Sequence, residues 1–194
     1  MILASRSPQR RAILEQLGVD FHVEDPDVEE LTEGDPRRLV RENALRKARA
    51  IGARSGPGGT APCDAPPEVV LGADTAVVLD GHIFGKPAGE AEAEAFLTRL
   101  SGRTHEVMTG IAVRGLDGAE ASEVAVTKVR FRALEPADLA WYLASGEWQE
   151  RAGAYAIQGR GAALVEEIEG DYWNVVGLPV AALLRLVPDL LEGR

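Results

Sequence analysis

Cysteine and long apolar runs are nearly absent from this sequence. Its 194 residues include a single cysteine, Cys63, so neither an internal disulfide nor a cysteine-based metal site is possible. No run of eighteen apolar residues occurs, and the N-terminal residues lack the apolar segment of a signal peptide. We therefore expect a cytoplasmic protein with no membrane partner.

Positive charge is also scarce. Lys and Arg number 21 against 31 for Asp and Glu, which gives a net charge of -10. This charge argues against binding to nucleic acid, although a local basic cluster can still hold a small anion. With 45% hydrophobic residues, the chain suits a single domain spanning 1–194. The Pro- and Gly-rich residues 56–68 are expected to form a flexible insertion in that domain.

The stretch 69–87, VVLGADTAVVLDGHIFGKP, places one acid between apolar runs. Asp74 lies in a pattern typical of a buried strand, where a carboxylate costs free energy unless it is paired, metal-bound or at the mouth of a site. Asp80 and Gly81 predict a turn that brings Lys86 back toward Asp74. The pair indicates a site for an anion held with a divalent metal, and a buried ion pair without chemistry is the alternative.

The N-terminus combines a short apolar strand, residues 1–4, with a helix that follows a run of hydroxyls and arginines. Ser7 is a natural N-cap residue, and Pro8 suits the first helical position. Free backbone N–H groups at a helix N-terminus attract anions, so Arg10 and Arg11 beside them favour an anion site. The alternative is a capped surface helix with solvated arginines.

Lys47 occupies an unusual place in the next predicted helix, which begins at Pro36. Because it shares a face with the apolar Leu39 and Val40, its side chain either reaches along that surface to solvent or points into a site. The acidic loop before this helix contains Glu30, which can hold a metal or be solvated.

The rest of the chain predicts further helices and strands. Helices are expected at 89–100, 136–148 and 178–191, and two strands within 105–132. The sequence contains no phosphate-binding lysine loop, zinc-ligand spacing or serine nucleophile elbow. Pattern alone therefore predicts an α/β protein with an anion-and-metal site.

Four motifs together resemble the Maf family of nucleoside triphosphate pyrophosphatases: ILASRSPQRRAIL, GADTAVVLDGHIFGKP, LSGRTHEVMTG, and AGAYAIQG with GDYWNVVGLP. They occur in the family's order over nearly the whole chain. The resemblance implies an α/β fold with a mixed, curved sheet in two lobes, flanking helices and a nucleotide cleft, similar to the inosine triphosphate pyrophosphatase fold. It also implies a homodimer that hydrolyses a nucleoside triphosphate to the monophosphate and pyrophosphate with a divalent metal cation, Mg²⁺ or Mn²⁺.

The same resemblance assigns roles to individual residues. Asp74 is the expected proton acceptor for water attacking the α-phosphorus, and Asp74 and Glu30 are the expected metal ligands. Lys47 and Lys86 complete the expected catalytic set. The resemblance implies that Ser5, Gln9, Arg10, Thr75 and Gln158 bind the substrate, and the anion site expected at the helix N-terminus adds Ser7 and Arg11.

Three of these residues are expected to determine which nucleotide is bound: Gln9, Thr75 and Gln158. The corresponding residues resemble Arg, Thr and Gln in the dTTP/UTP branch of the family, and Trp, Gln and Glu in its 7-methyl-GTP branch. Two of the three positions therefore favour dTTP and UTP. Gln9 fits neither branch and lacks a positive charge that Arg6 or Arg11 can supply. A 7-methyl-GTP pyrophosphatase and a nucleotide-binding regulator of septum formation stay open as alternatives.

Overall fold

A computed structural model describes residues 1–54, 69–115 and 117–191 of the chain. Within these residues the strands form one seven-stranded mixed sheet with the order β2-β1-β3-β5-β6-β7, and β4 pairs with β3. Strand β1 runs parallel to β2 and β3, whereas the other pairs are antiparallel. The strands are β1 (Ile2–Ala4), β2 (His22–Glu24), β3 (Val70–Leu79), β4 (His82–Phe84), β5 (Thr104–Arg114), β6 (Glu120–Phe131) and β7 (Val165–Glu169).

Helices flank both faces of the sheet, which confirms the predicted mixed α/β fold class. The helices are α1 (Pro8–Gln16), α2 (Pro36–Arg54), α3 (Glu90–Leu100), α4 (Pro136–Leu143), α5 (Tyr172–Val176) and α6 (Val180–Leu186). Short 3₁₀ turns follow at Ala152–Ala154, Gly159–Leu164 and Pro188–Leu191. No helix within the described ranges is long and apolar enough to cross a bilayer.

The hydrophobic core divides between the two ends of the long strands β3 and β5. At one end, Leu97 of α3 and Tyr142 of α4 belong to a buried cluster that also contains Phe84 of β4. At the other end, Leu14 of α1 and Leu183 of α6 pack against β1 and β3. The cleft described below lies between these two ends, and the division into two lobes stays a prediction.

Side chains of β3 alternate between the two faces of the sheet, as the pleat requires. Ala76 and Val78 share a buried cluster with residues of α2, whereas Leu71 and Ala73 pack with α1 and α6. Asp74 therefore projects toward α2, and its neighbour Thr75 projects to the opposite face.

Helix α2 lies directly on the sheet because two glycines leave room for its backbone. A Cβ atom on Gly72 would lie 2.1 Å from the carbonyl oxygen of Ala44, and one on Gly110 would lie 2.3 Å from that of Val40. Gly110 is also the register partner of Asp74 across β3 and β5. The close approach brings the side chains of α2 within reach of the Asp74 carboxylate.

The predicted turn at Asp80 and Gly81 is confirmed. Both residues have positive φ angles, 52° and 78°, and Leu79 pairs with His82. These angles are what a two-residue hairpin turn requires. The β3–β4 hairpin therefore returns the chain along β3 and delivers Lys86 to the cleft.

Two helices are shorter than predicted, for identifiable reasons. The helix expected at 136–148 ends early because Gly146 takes a left-handed φ of 71°. The helix expected at 178–191 ends before Pro188, which lacks the N–H that would continue it. The insertion expected at 56–68 lies outside the described residues, and the single-domain assignment stays a prediction.

Candidate active site

A cleft of about 830 Å³ opens between the two ends of the core. Its walls come from the α1 N-terminus, the acidic loop before α2, strand β3, the end of the β3–β4 hairpin and the segment 149–158. The cleft brings together every predicted site residue except Arg11: Ser5, Ser7, Gln9, Arg10, Glu30, Lys47, Asp74, Thr75, Lys86 and Gln158.

Arg11 lies instead on the outer surface of α1. Its Nε donates to Glu15 Oε1 at 2.8 Å, an i,i+4 ion pair in which both side chains are exposed. Of the two arginines considered as substitutes for the charge missing at Gln9, only Arg6 lines the cleft. Arg6 Nε lies 3.7 Å from Asp25 Oδ2.

The centre of the cleft is the Asp74 carboxylate, which is only 8% exposed. Lys47 Nζ donates to Asp74 Oδ1 at 2.8 Å, and Asn43 Nδ2 donates to Asp74 Oδ2 at 2.9 Å. Both carboxylate oxygens thus have a charged or polar donor, which offsets the cost of removing the charge from water. The carboxylate is held in one orientation, facing the cleft.

Lys47 does not reach to solvent; it points into the site. Its ammonium also donates to Ala73 O at 3.2 Å and pairs with Glu30 Oε1 at 2.7 Å. Lys47 therefore joins Asp74 to Glu30 through one buried cation. An ammonium has three N–H donors, and the three oxygens of Asp74, Glu30 and Ala73 match that number.

Glu30 lies at the half-exposed edge of this group. Burial alone raises the pKa of Glu30, but the Lys47 ammonium and the more distant charges of Lys86 and Arg10 outweigh it, so the pKa lies below its ordinary value. Glu30 is therefore ionised at neutral pH.

Arg10 connects four parts of the site and is buried. Its Nη1 donates to Ser5 Oγ at 3.1 Å and to Ala73 O at 2.9 Å. Its Nε donates to Gly177 O at 2.9 Å, and its Nη2 donates to Thr75 Oγ1 at 3.1 Å. A guanidinium has five N–H groups, so most of those of Arg10 already hold the cleft walls together.

The N-terminus of α1 has the predicted cap. Ser7 Oγ accepts from Arg10 N at 3.5 Å and donates to Gln9 Oε1 at 3.1 Å, and Pro8 begins the helix. Pro8 has no N–H, and the N–H groups of Arg10 and Arg11 donate to Ser7. The Gln9 N–H is therefore the group of this first helical turn from which an anion at the edge of the cleft can accept.

Thr75 and Gln158 differ in how firmly they are held. The Thr75 hydroxyl lies 2.9 Å from Thr109 Oγ1 in addition to its contact with Arg10, so its position is fixed by two partners. Gln158 is exposed at the rim of the cleft, and its amide is free to turn toward a ligand.

Lys86 reaches the cleft as predicted but does not pair with Asp74. Its Nζ donates to Glu150 Oε2 at 2.8 Å, and its side chain is 63% exposed. The physical reason is that Lys47, arriving from α2, already takes the buried position beside Asp74. Lys86 is therefore an exposed cation at the mouth of the cleft, paired with Glu150.

Several cleft residues escaped the sequence analysis. Asn43 lies one helical turn before Lys47 on α2, and this i,i+4 spacing is the signal that both can reach one acid. Glu150, Arg151 and Tyr155 come from the segment before Gln158, where the only signal was the unusual density of glycine and aromatic residues.

Metal binding can rest on two carboxylates here. Within residues 1–54, 69–115 and 117–191 there is no group of three or more His, Cys, Asp or Glu placed to hold a metal. Asp74 and Glu30, however, converge on the same ammonium. Such a pair suits Mg²⁺, which keeps several waters and is commonly bound by one or two carboxylates together with substrate phosphates.

Comparisons with known proteins agree with the geometry. Relatives named dTTP/UTP pyrophosphatase include those of Symbiobacterium thermophilum, 48% identical with 96% of this chain and 92% of the relative covered, and of Deinococcus radiodurans, 47% identical with 96% and 91% covered. A solved HAM1 protein from Coxiella burnetii is 18% identical, with a TM-score of 0.48 over 84% of this chain and 89% of that one. The family model described as Maf-like protein matches residues 1–190. The chain therefore belongs to the Maf family.

Proposed function

We propose that this protein is a hydrolase that cleaves nucleoside triphosphates, dTTP and UTP foremost, to the monophosphate and pyrophosphate. The observation that carries the proposal is the Asp74 carboxylate, fixed by Lys47 and Asn43 in a cleft that basic residues and a helix N-terminus surround. Membership of the Maf family supports it, as do relatives at 40–48% identity that are named dTTP/UTP pyrophosphatase.

Asp74 is the proposed general base. Because its orientation is fixed by two donors, Asp74 can accept a proton from a water that attacks the α-phosphorus in line with the departing pyrophosphate. Lys47 holds the carboxylate in position. Lys86 is free enough to leave Glu150 and neutralise charge that develops on the leaving group.

A divalent metal fits this arrangement, with Asp74 and Glu30 as its protein ligands. When bound, Mg²⁺ or Mn²⁺ would polarise phosphate oxygens and offset their charge. The protein's own contribution is to hold two carboxylates near each other, both paired with Lys47.

The remaining predicted residues are proposed to bind the nucleotide. Ser5 and the Gln9 N–H of α1 offer donors to phosphate, and Ser7 can do so when its hydroxyl turns away from Gln9, whereas Arg10 acts mainly by fixing the walls. Thr75 and Gln158 are proposed to select the base, because a glutamine amide carries both a donor and an acceptor for the edge of a pyrimidine. A homodimer remains the expected assembly, which light scattering would test.

A nucleotide panel tests the proposal. With Mg²⁺ or Mn²⁺, we expect pyrophosphate release from dTTP and UTP with a kcat/KM about 10-fold or more above that for CTP, GTP and 7-methyl-GTP, because a site that pairs with base edges rejects wrong ones strongly. Preference for 7-methyl-GTP would favour the other branch of the family. Tight nucleotide binding without any turnover would favour the regulator of septum formation.

A further inference from the structure

Five basic residues line the cleft, and four of them have partners. Lys47 and Arg10 are engaged as described, Lys86 pairs with Glu150, and Arg6 lies near Asp25. The fifth, Arg151, has no side-chain hydrogen bond or ion pair in the part of the chain that the structure describes, and its buried Nε lacks a hydrogen-bond partner.

The backbone around Arg151 places it beside the mouth of the cleft. Arg151 precedes the 3₁₀ turn Ala152–Ala154, in which Gly153 N donates to Gly85 O at 3.0 Å. Gly85 immediately precedes Lys86, and Glu150, the partner of Lys86, immediately precedes Arg151. The guanidinium therefore comes from the same part of the wall as the Lys86 ammonium.

The charge of Glu147 does not neutralise Arg151. Burial lowers the pKa of Arg151, and Tyr142 and the charge of Glu147 oppose this only in part. Both Glu147 oxygens accept instead from backbone N–H groups, those of Arg160 at 2.9 and 3.1 Å and of Gly161 at 3.3 Å. A partly buried cation that its own protein leaves unpaired carries a desolvation cost that an anionic ligand would remove.

We propose that Arg151 is a substrate-contacting residue whose guanidinium donates to the phosphate chain of the nucleotide. This inference rests on the proposed function and adds a substrate contact that the proposed function does not include. A planar guanidinium matches phosphate oxygens in pairs, whereas the edge of an uncharged base would leave its charge unpaired. Neither Gln9 nor Arg11 brings a free cation to the cleft, so Arg151 is the residue whose donors are available.

The test compares Arg151→Gln with Arg160→Gln by calorimetry. Arg160 lies on the same segment, is exposed, stacks over the Trp141 ring at 5.5 Å and does not line the cleft, so its substitution removes the same charge elsewhere. The probes are inorganic pyrophosphate, dTMP and the non-hydrolysable α,β-imido analogue of dTTP, each with Mg²⁺. We expect Arg151→Gln to weaken binding of pyrophosphate and of the analogue about 10- to 100-fold, dTMP less, and Arg160→Gln to change none of them more than about twofold.

The possible outcomes distinguish failure of this inference from failure of the proposed function. If Arg151→Gln binds pyrophosphate as tightly as the wild type, which itself hydrolyses dTTP, the inference is wrong and the function stands. A wild type that binds neither pyrophosphate nor the analogue would overturn both. A melting curve would show whether Arg151→Gln folds. If it does not, Arg151→Lys keeps the charge and is expected to weaken binding of the analogue by an intermediate amount. Unchanged affinity of Arg151→Lys for the analogue would again contradict the inference.

Discussion

Replacing Asp74 with asparagine is expected to lower kcat for dTTP hydrolysis by about 100- to 1,000-fold or more. The substitution keeps the shape of the side chain, but its single amide oxygen can accept from only one of Lys47 and Asn43. The substitution removes the negative charge that accepts the proton of the attacking water. It also removes one of the two carboxylates available to a metal. Steady-state kinetics of pyrophosphate release measures the loss.

Asp80→Asn is the matched control for this variant. Asp80 ends the same strand, lies outside the cleft and pairs with Arg103 at the exposed turn. Its positive φ of 52° is one that asparagine adopts readily, so the control should fold and retain wild-type activity. An Asp74→Asn protein that keeps more than about a tenth of the wild-type kcat would remove Asp74 from the proposed role of base.

Replacing Lys47 with methionine is expected to damage both activity and stability. Methionine preserves the length and apolar stem of the side chain but leaves the Asp74 carboxylate buried without its cation. Breaking a buried pair from one side costs about 3 kcal/mol or more of unfolding free energy. Because the same ammonium positions Asp74 and Glu30, we also expect kcat/KM to fall about 100-fold or more.

Lys128→Met supplies the comparison for Lys47→Met. Lys128 forms an exposed ion pair with Glu169 on the β6–β7 ladder, so its loss should cost less than about 1 kcal/mol and leave kinetics unchanged. Urea unfolding and steady-state kinetics of the two variants give the contrast. Equal stability of the two proteins, or full activity of Lys47→Met, would show that the buried cation does not support the site.

The parts of the site that follow local patterns could be predicted from the sequence. Ser7 with Pro8 marks the start of α1, the turn at Asp80 sets the hairpin, and the face of α2 that carries Lys47 follows from helical spacing. Each of these depends on residues only a few positions apart. Asp74 stood out because a charge in a buried strand needs a partner.

The partners themselves could not be predicted, because they depend on packing across the sheet. Gly110 of β5 lies opposite Asp74 and leaves room for the α2 backbone. The close packing of α2 on the sheet explains why Lys47 rather than Lys86 pairs with Asp74. The segment with Arg151 reaches the cleft through its contact with Gly85, far away in sequence. No local sequence pattern predicts a contact between residues so far apart in the chain.

Turnover of dTTP in water labelled with ¹⁸O tests most directly the hydrolysis assigned to this cleft. Attack at the α-phosphorus, with Asp74 taking the proton, places one labelled oxygen in dTMP and leaves pyrophosphate unlabelled. Mass spectrometry of the products distinguishes the possibilities. Label in pyrophosphate, or labelled inorganic phosphate released with dTDP, would contradict the account.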